Sequence, residues 1–208
     1  RVFQKLRLDS SDPEVLLVGG LLHRNGEVKF GPFYDVQNAQ ESSSNDGDYS
    51  VVVLNSEGVA VRKVSFSPKF LLMTHPPVSV DAVPFGIGIA FSPEAVRVQV
   101  RKGTTTLSAI NPVSSLLKDA VDVLEDDAFI KNPQQLREAL REKIAALESQ
   151  IDQKSYNAAA NKLRFDIRKQ VGTWLRDDYK KSDQLQYTKQ ELLSLIDNLT
   201  GRVQALTQ

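Results

Sequence analysis

The chain of 208 residues contains no cysteine. This absence excludes disulfide bonds, thiolate nucleophiles and cysteine-ligated zinc or iron–sulfur centres from these residues. Histidine is scarce as well, since only His23 and His75 are present and they lack the HExxH spacing of a catalytic zinc site. No segment resembles a signal peptide, and no apolar run approaches the roughly 20 residues that span a bilayer.

An excess of either charge is also absent. Lys and Arg together number 26, and Asp and Glu together number 26, so the formal net charge is +0. The two signs also balance separately within residues 1–110 and within residues 111–208. A nucleic-acid partner is not expected, because proteins that bind nucleic acid usually carry a basic face.

Residues 1–110 carry short, β-branched apolar segments between closely spaced turn formers, which is typical of an all-β domain. Two segments alternate apolar and polar residues, 96–101 regularly and 59–66 with one irregularity that indicates a bulge. We therefore predict an antiparallel β-sandwich of the immunoglobulin or fibronectin type. The predicted strands are 2–8, 15–23, 27–36, 49–54, 59–66, 85–91, 96–101 and 105–110.

The connections of this domain carry their own signals. Asn25-Gly26 suits a type I′ hairpin turn, and Gly103 can take a positive φ in a second hairpin. Residues 38–48 are polar and predict a long loop. Residues 67–84 contain four prolines and predict an extended connection at a sheet edge, because proline cannot donate to a central ladder.

After Ile110 the apolar period changes from two to 3.6 residues, which predicts an up-and-down bundle of four helices in a domain at 111–208. The predicted helices are 112–126, 133–152, 155–176 and a last one that follows Thr188. Asparagine before proline at 111–112 and 132–133 predicts two helix N-caps. Thr188 and Glu191 predict a capping box.

One aromatic residue of the third predicted helix is assigned to its core and another to its outside. Trp174 falls on the apolar stripe with Leu163 and Val171, so we expect it to be buried. Phe165 lies off this stripe and is a candidate for contact between the two domains.

Hard oxygen ligands of the kind that calcium prefers cluster in two predicted loops. The candidate ligands are Asp9, Asp12 and Glu14 in the first loop and Asp46 and Asp48 in the second. Neither loop has EF-hand spacing, and Asx-type turns are an alternative explanation of both. No other cofactor is expected.

Phe30, Phe33 and Tyr34 surround Gly31-Pro32, and three rings on a β-sandwich can form a platform for carbohydrate or peptide. The alternative is a bent strand whose rings lie in the core. No catalytic residue is predicted, because GxSxG is absent and the paired carboxylates at 125–127 and 176–178 lie at helix ends, as surface charge does.

The helical half carries a family resemblance. The runs "IKNPQQLREAL", "YNAAANKLRFDI" and "LLSLIDNL" resemble the small helical module called FIMAH, over about residues 113–203. The β half is similar in layout to Ig-like domains appended to secreted peptidases and surface proteins, in "VGGLLHRNGEVKFGPFYDV" and "GDYSVVVLNSEGVAVRKVSFS". The resemblance implies a protein secreted by, or held at the surface of, a bacterium or archaeon.

We therefore expect a non-catalytic accessory region of an exported multidomain protein, which stabilises, spaces or attaches an upstream functional domain. A chain that starts at Arg1 instead of Met is expected to be a fragment of something longer. The expected partners are that upstream domain and a cell-surface protein or carbohydrate. Two alternatives stay open: a carbohydrate- or protein-binding module on the β-sandwich, and a hydrolase that uses loop carboxylates.

Overall fold

The computed structural model describes residues 14–36, 39–43 and 46–207, and these residues form an α+β protein with three antiparallel sheets and four helices. The predicted strand at 2–8 lies outside the described residues. The strands are β1 (Val15–His23), β2 (Val28–Phe30), β3 (Tyr34–Val36), β4 (Tyr49–Leu54), β5 (Ala60–Phe66), β6 (Leu71–Leu72), β7 (Val78–Ser79), β8 (Ala82–Ala90), β9 (Arg97–Lys102) and β10 (Thr105–Ile110).

Two four-stranded sheets build the β part. In the first, β8 pairs along the whole of β1, while β2 and β3 pair successively with the opposite edge of β1. The second has the order β10-β9-β4-β5. The inner faces of the sheets meet, because Phe66 of β5 stacks on Phe85 of β8 with 5.6 Å between ring centroids. Every residue of β4 is buried, which explains its nearly continuous run of valines.

The turns and the bulge agree only in part with the sequence expectations. The bulge in β5 is confirmed, since Val53 faces Arg62 and Leu54 faces Ala60, which leaves one residue unmatched. The prediction of a type I′ turn at Asn25-Gly26 is wrong. Such a turn needs a positive φ at both central residues, and Gly26 has a φ of 93° whereas the φ of Asn25 is not positive. The Gly26 N–H donates to the His23 carbonyl (2.9 Å), as in a type I turn followed by a glycine bulge.

Proline divides the segments that were predicted as continuous. The strand expected at 27–36 is broken into β2 and β3 at Gly31–Phe33, because Pro32 has no N–H for the ladder. The connection expected at 67–84 contains the β6–β7 hairpin and the start of β8. Pro84 lies within β8, opposite Leu21 of β1.

Helices and their connections follow β10, and no helix of the described chain is long and apolar enough to cross a membrane. α3, a π-helical turn at Lys162–Ile167 and α4 form one continuous helix over 156–174. A short 3₁₀ turn, Asp126–Ala128, follows the first helix. The α-helices are α1 (Pro112–Asp122), α2 (Pro133–Asp152), α3 (Tyr156–Asn161), α4 (Arg168–Trp174) and α5 (Lys189–Ala205).

Two of the three predicted helix caps are confirmed. The Asn111 side chain accepts hydrogen bonds from the N–H groups of Val113 and Ser114, and Thr188 and Glu191 form the capping box of α5. Asn132 is not a side-chain cap. Its backbone is left-handed (φ 41°), and its side chain accepts no capping hydrogen bond.

One core position predicted for the third helix is wrong. Leu163, Ile167 and Val171 are buried as the period predicts, and the next buried residue is Leu175, which follows the end of the helix, has an extended backbone and pairs with Phe129. Trp174, which a regular 3.6-residue period would bury, is only partly buried. Phe165 is 63% exposed and therefore does not connect the β and α parts.

The β and α parts share one hydrophobic core. Asn111 is the one residue between β10 and α1, and it is 3% exposed. Buried residues of both sheets and of all four helices belong to a single cluster. α1 is buried along most of its length, including Ser114 and Ser115.

We expect the cost of shortening side chains in the third helix to follow this burial. Leu163→Ala should lower the free energy of unfolding by about 2–5 kcal/mol, because Leu163 is completely buried. Trp174→Ala should cost roughly 1–3 kcal/mol, and the exposed control Phe165→Ala less than about 0.5 kcal/mol. Urea denaturation of the three variants measures the order. A cost for Trp174→Ala as large as that for Leu163→Ala would contradict the partial burial of Trp174.

Candidate functional site

The three aromatic residues proposed as a binding platform do not lie on one exposed surface. Phe33 is 2% exposed, whereas Phe30 and Tyr34 are partly buried. The rings of Phe30 and Phe33 pack against each other with 5.6 Å between centroids. The structure therefore places Phe33 in the core, and only Phe30 and Tyr34 offer partial access to a ligand.

Three of the five calcium candidates lie among the described residues, and these three form no metal-binding group. Asp9 and Asp12 lie outside the described residues. Glu14 forms an ion pair with Arg202 of α5, and Asp46 and Asp48 are exposed. Within 14–36, 39–43 and 46–207, no group of three or more His, Asp or Glu side chains is arranged to hold a metal ion.

A cleft of about 320 Å³ lies where the second sheet meets the helices. We call it the junction cleft. Its walls come from the β4–β5 turn, from the start of β9 and from the chain between α2 and α3. The residues that line it are Leu54, Asn55, Ser56, Glu57, Gly58, Val96, Arg97, Gln99, Ile151, Asp152, Lys154 and Tyr156.

Local sequence determines the shape of each wall of the junction cleft. Asn55 forms an Asx-type turn, in which its side-chain oxygen accepts from the N–H groups of Glu57 (3.0 Å) and Val59 (2.9 Å). Lys154, after the end of α2, has a φ of 57°, which reverses the chain towards α3. Tyr156 follows at the start of α3 and faces the cleft.

The polar groups of the junction cleft are of both charges. Arg97 Nη2 lies 2.6 Å from Asp152 Oδ1 and thereby joins β9 to the end of α2. Burial raises the pKa of Tyr156 above its usual value, while the nearby Ser56 side chain opposes this shift. The Tyr156 hydroxyl is buried and lies outside hydrogen-bonding geometry with its neighbours.

A second polar contact joins the first sheet to α1. The N–H of Phe33 donates to Oδ2 of Asp119 at 2.8 Å. Burial raises the pKa of the Asp119 carboxyl above its ordinary value, and the hydrogen bond from Phe33 partly opposes the shift. The contact satisfies a backbone donor next to Pro32, where the sheet ladder is interrupted.

A third contact joins α5 to the start of β1. Arg202 pairs with Glu14, donates to the Phe91 carbonyl (3.2 Å), and lies 3.8 Å from the centroid of the Phe91 ring. Burial lowers the pKa of this guanidinium to about 10. Buried arginines of this kind are stable only when they are paired, so Arg202 acts as a structural link.

The paired carboxylates at 125–127 are also used in structural contacts. Glu125 accepts from the side chains of Ser182 and Gln186, and these hydrogen bonds lower its pKa. Asp126 pairs with Arg137 of α2 at 2.9 Å. Both carboxylates thus tie the end of α1 to other segments of the helical part.

Comparison with known proteins adds no assignment: no family model, curated protein or solved structure matches the chain.

Sequence reasoning located parts of the junction cleft without recognising it. The turn at 55–58 and the outward position of Arg97 both follow from local pattern. Their approach to Asp152 depends on the packing of α2 against the second sheet, which no local pattern contains. Tyr156 falls on the apolar spacing of the third predicted helix and is indeed buried, but that spacing gives no sign that the residue borders a cleft.

We expect Asp119→Ala to lower the free energy of unfolding by about 1–3 kcal/mol, because it leaves the Phe33 N–H without an acceptor. Asp119→Asn is the matched control, since its amide oxygen can accept the same hydrogen bond. Chemical denaturation of both variants measures the difference. Equal losses would show that the contact contributes through its charge and not through the hydrogen bond.

The raised pKa of Asp119 adds a pH dependence with a definite sign. Because the folded pKa lies above the unfolded one, this carboxyl favours folding most at pH below the unfolded value. The contribution is lost as the pH rises through the folded pKa. Asp119→Asn should remove this part of the pH dependence, and denaturation on both sides of the usual carboxyl range measures it. Identical pH profiles for the wild type and Asp119→Asn would contradict the assignment.

Proposed function

We propose that these residues form a non-catalytic accessory region of an exported multidomain protein, which stabilises, spaces or attaches an upstream functional domain. The observation that carries the proposal is the single buried cluster that both parts share. A region whose two parts have one core behaves as a rigid body, and a spacer must be rigid to hold what it connects at a fixed distance.

The polar contacts between the parts support the same proposal. Arg97–Asp152, Phe33–Asp119 and Arg202–Glu14 join different segments of the β part to different helices. They lie on α1, at the end of α2 and on α5, so the β part is attached at several points. Charged side chains that are already paired within the protein are not free to act on a substrate, which favours a structural role over a catalytic one.

The finer fold belongs to this proposal as well. We infer that the two four-stranded sheets form an Ig- or fibronectin-like sandwich and that the four helices form an up-and-down bundle. The meeting of Phe66 with Phe85 between the sheets supports the first inference, and the buried stripes of α2 and α5 support the second. The FIMAH-like resemblance of residues 113–203 and the Ig-like resemblance of the β half supply the expectation of export.

The rigid-body part of the proposal predicts a single unfolding transition for the 208-residue chain. Trp174 fluorescence reports on the helical part, and the far-ultraviolet circular dichroism reports on helices and strands together. The two signals should change at the same denaturant concentration. Two separated transitions would contradict a rigid spacer.

The accessory role itself is tested in the full-length protein. The coding sequence upstream of Arg1 should contain an export signal and a further domain. Deletion of residues 14–207 should lower the thermal stability or the surface retention of that domain and leave its intrinsic activity in place. A full-length chain that begins near Arg1 without an export signal would contradict the proposal, and so would loss of the activity itself on deletion.

A second candidate function is carbohydrate or protein binding, and the junction cleft is the observation that favours it. Its lining combines side-chain amides, hydroxyls and a paired arginine and aspartate, which are groups that orient the hydroxyls of a sugar. Its volume of about 320 Å³ lies at the lower end of the range for small-molecule pockets. The partly exposed Tyr34 is the competing location.

Titration calorimetry with a panel of mono- and oligosaccharides distinguishes these locations. Arg97→Ala removes a partly exposed polar group that lines the junction cleft and should weaken binding there, whereas Tyr34→Ala should not. The opposite order would place the site at Tyr34. Phe33→Ala is unsuitable as a binding test, because a 2% exposed ring should cost about 3–5 kcal/mol of stability.

A further inference from the structure

The β6–β7 hairpin is the largest exposed apolar feature that the described residues present in one short segment. All residues from Leu71 to Ser79 are exposed. Met73, near the tip, is 90% exposed, and Leu71, Leu72 and Val78 are each about half exposed (54%, 52% and 49%). Grouped exposure of large apolar side chains marks an interaction site and not ordinary surface.

Charged residues are absent from this hairpin. The sequence from Phe70 to Val80 contains no Asp, Glu, Lys or Arg. Exposed strands and turns normally carry such residues, because charge keeps them from associating. The lack of charge over a whole projecting hairpin therefore indicates that its surroundings in use are less polar than water.

Apolar side chains lie on both faces of the hairpin, and one face also carries Ser79, whose hydroxyl accepts a hydrogen bond from Arg24. Leu72 pairs with Val78, so these side chains lie on one face. Leu71 is adjacent to Leu72 in the strand and lies on the other face. Apolar contact is therefore available on both sides of the hairpin, as insertion into a lipid phase requires.

The backbone of the tip also has few hydrogen-bond donors. Pro76 and Pro77 have no N–H group, and the Thr74 hydroxyl donates to the Pro76 carbonyl at 2.8 Å. Unpaired donors are costly in a medium that contains little water. The tip is thus suited to shallow insertion.

Cations surround the base of the hairpin. Arg24 fixes the base, since it donates to the carbonyls of Phe70 (3.2 Å) and Val80 (3.1 Å) and lies over the Phe70 ring at 5.4 Å. Lys69 precedes the hairpin and is exposed. Lys102 lines a recess of about 450 Å³ beside Arg24 and Leu71.

The cations at the base outnumber the carboxylates. Asp48 lies in the same recess, and Asp81 follows the hairpin. The base therefore has two acidic residues and three basic ones, which are Arg24, Lys69 and Lys102. An apolar tip above a basic base is the arrangement of proteins that bind to anionic lipid surfaces.

We propose that the β6–β7 hairpin inserts into the interfacial layer of an anionic lipid bilayer, with Lys69 and Lys102 at the level of the headgroups. The hairpin would enter only the surface layer of the bilayer and would not cross it. The inference goes beyond the accessory role and does not depend on it, because the hairpin and its basic base lie within the described β part.

Co-sedimentation of the 208-residue chain with lipid vesicles tests the proposal. Vesicles of phosphatidylcholine with phosphatidylglycerol should bind the protein, and Met73→Glu should weaken this binding by about tenfold or more. The matched control is Val59→Glu, because Val59 is 55% exposed and precedes β5, at the end of that strand away from the hairpin. Circular dichroism should show the same fold for both variants, since both side chains are exposed.

The basic base has its own test. Lys69→Gln with Lys102→Gln should weaken binding to the anionic vesicles by roughly fivefold for each residue, and added salt should have a similar effect. A matched pair in the helical part, Lys131→Gln with Lys180→Gln, should have little effect. Vesicles of phosphatidylcholine alone should bind the wild type more weakly.

Three results would overturn the proposal. The first is a wild-type chain that does not bind anionic vesicles, which would leave a protein groove as the occupant of the hairpin. The second is equal binding by Met73→Glu and Val59→Glu. The third is equal binding to vesicles with and without phosphatidylglycerol. All three are independent of the upstream domain, so they do not bear on the accessory role.

Discussion

The capping of α1 by Asn111 is the interaction on which the rest of the structure depends. One residue separates β10 from α1, so the direction in which the chain leaves the second sheet also fixes the axis of the first helix. The Asn111 side chain satisfies the first N–H groups of that helix in a place that water does not reach, since the residue is 3% exposed. With α1 held in this way, its two sides can be covered by the sheets and by the other helices, and one core results.

This constraint also explains how charge is used. Equal numbers of acidic and basic residues would allow an evenly solvated surface, yet several of them lie at places where one element meets another. Asp119 and Arg202 are partly removed from water. Burial raises the pKa of Asp119 and lowers that of Arg202, and both shifts favour the neutral form of the side chain. Each can be buried because it has a partner. Asp119 accepts from the backbone N–H of Phe33, and Arg202 pairs with the carboxylate of Glu14. Polar groups placed in this way oppose sliding of the two parts, which hydrophobic contact alone resists poorly.

The spacing of apolar residues, together with turn and cap residues, predicted the strands and helices that are determined by local sequence. β1, β4 and β10 have the predicted bounds, as does α2, which begins at Pro133 although Asn132 does not cap it. Features decided by tertiary packing could not be predicted. The left-handed backbone at Asn132, the core position of Phe33 and the junction cleft all require knowledge of which elements meet. The β6–β7 hairpin was missed for another reason: its prolines indicated a plain connection, and two-residue strands are too short for alternation to be visible.

The π turn at Lys162–Ile167 has a consequence for recognising related chains. Because it takes up about one residue more than an α turn, a relative with a regular helix should be one residue shorter between Lys162 and Ile167 and still bury equivalent side chains on both sides. An ungapped alignment of two such chains would match the first half of the helix correctly and pair every later residue with the wrong neighbour. Sequence similarity would then fade at the π turn even though the helices superimpose. A single-residue gap there would restore it.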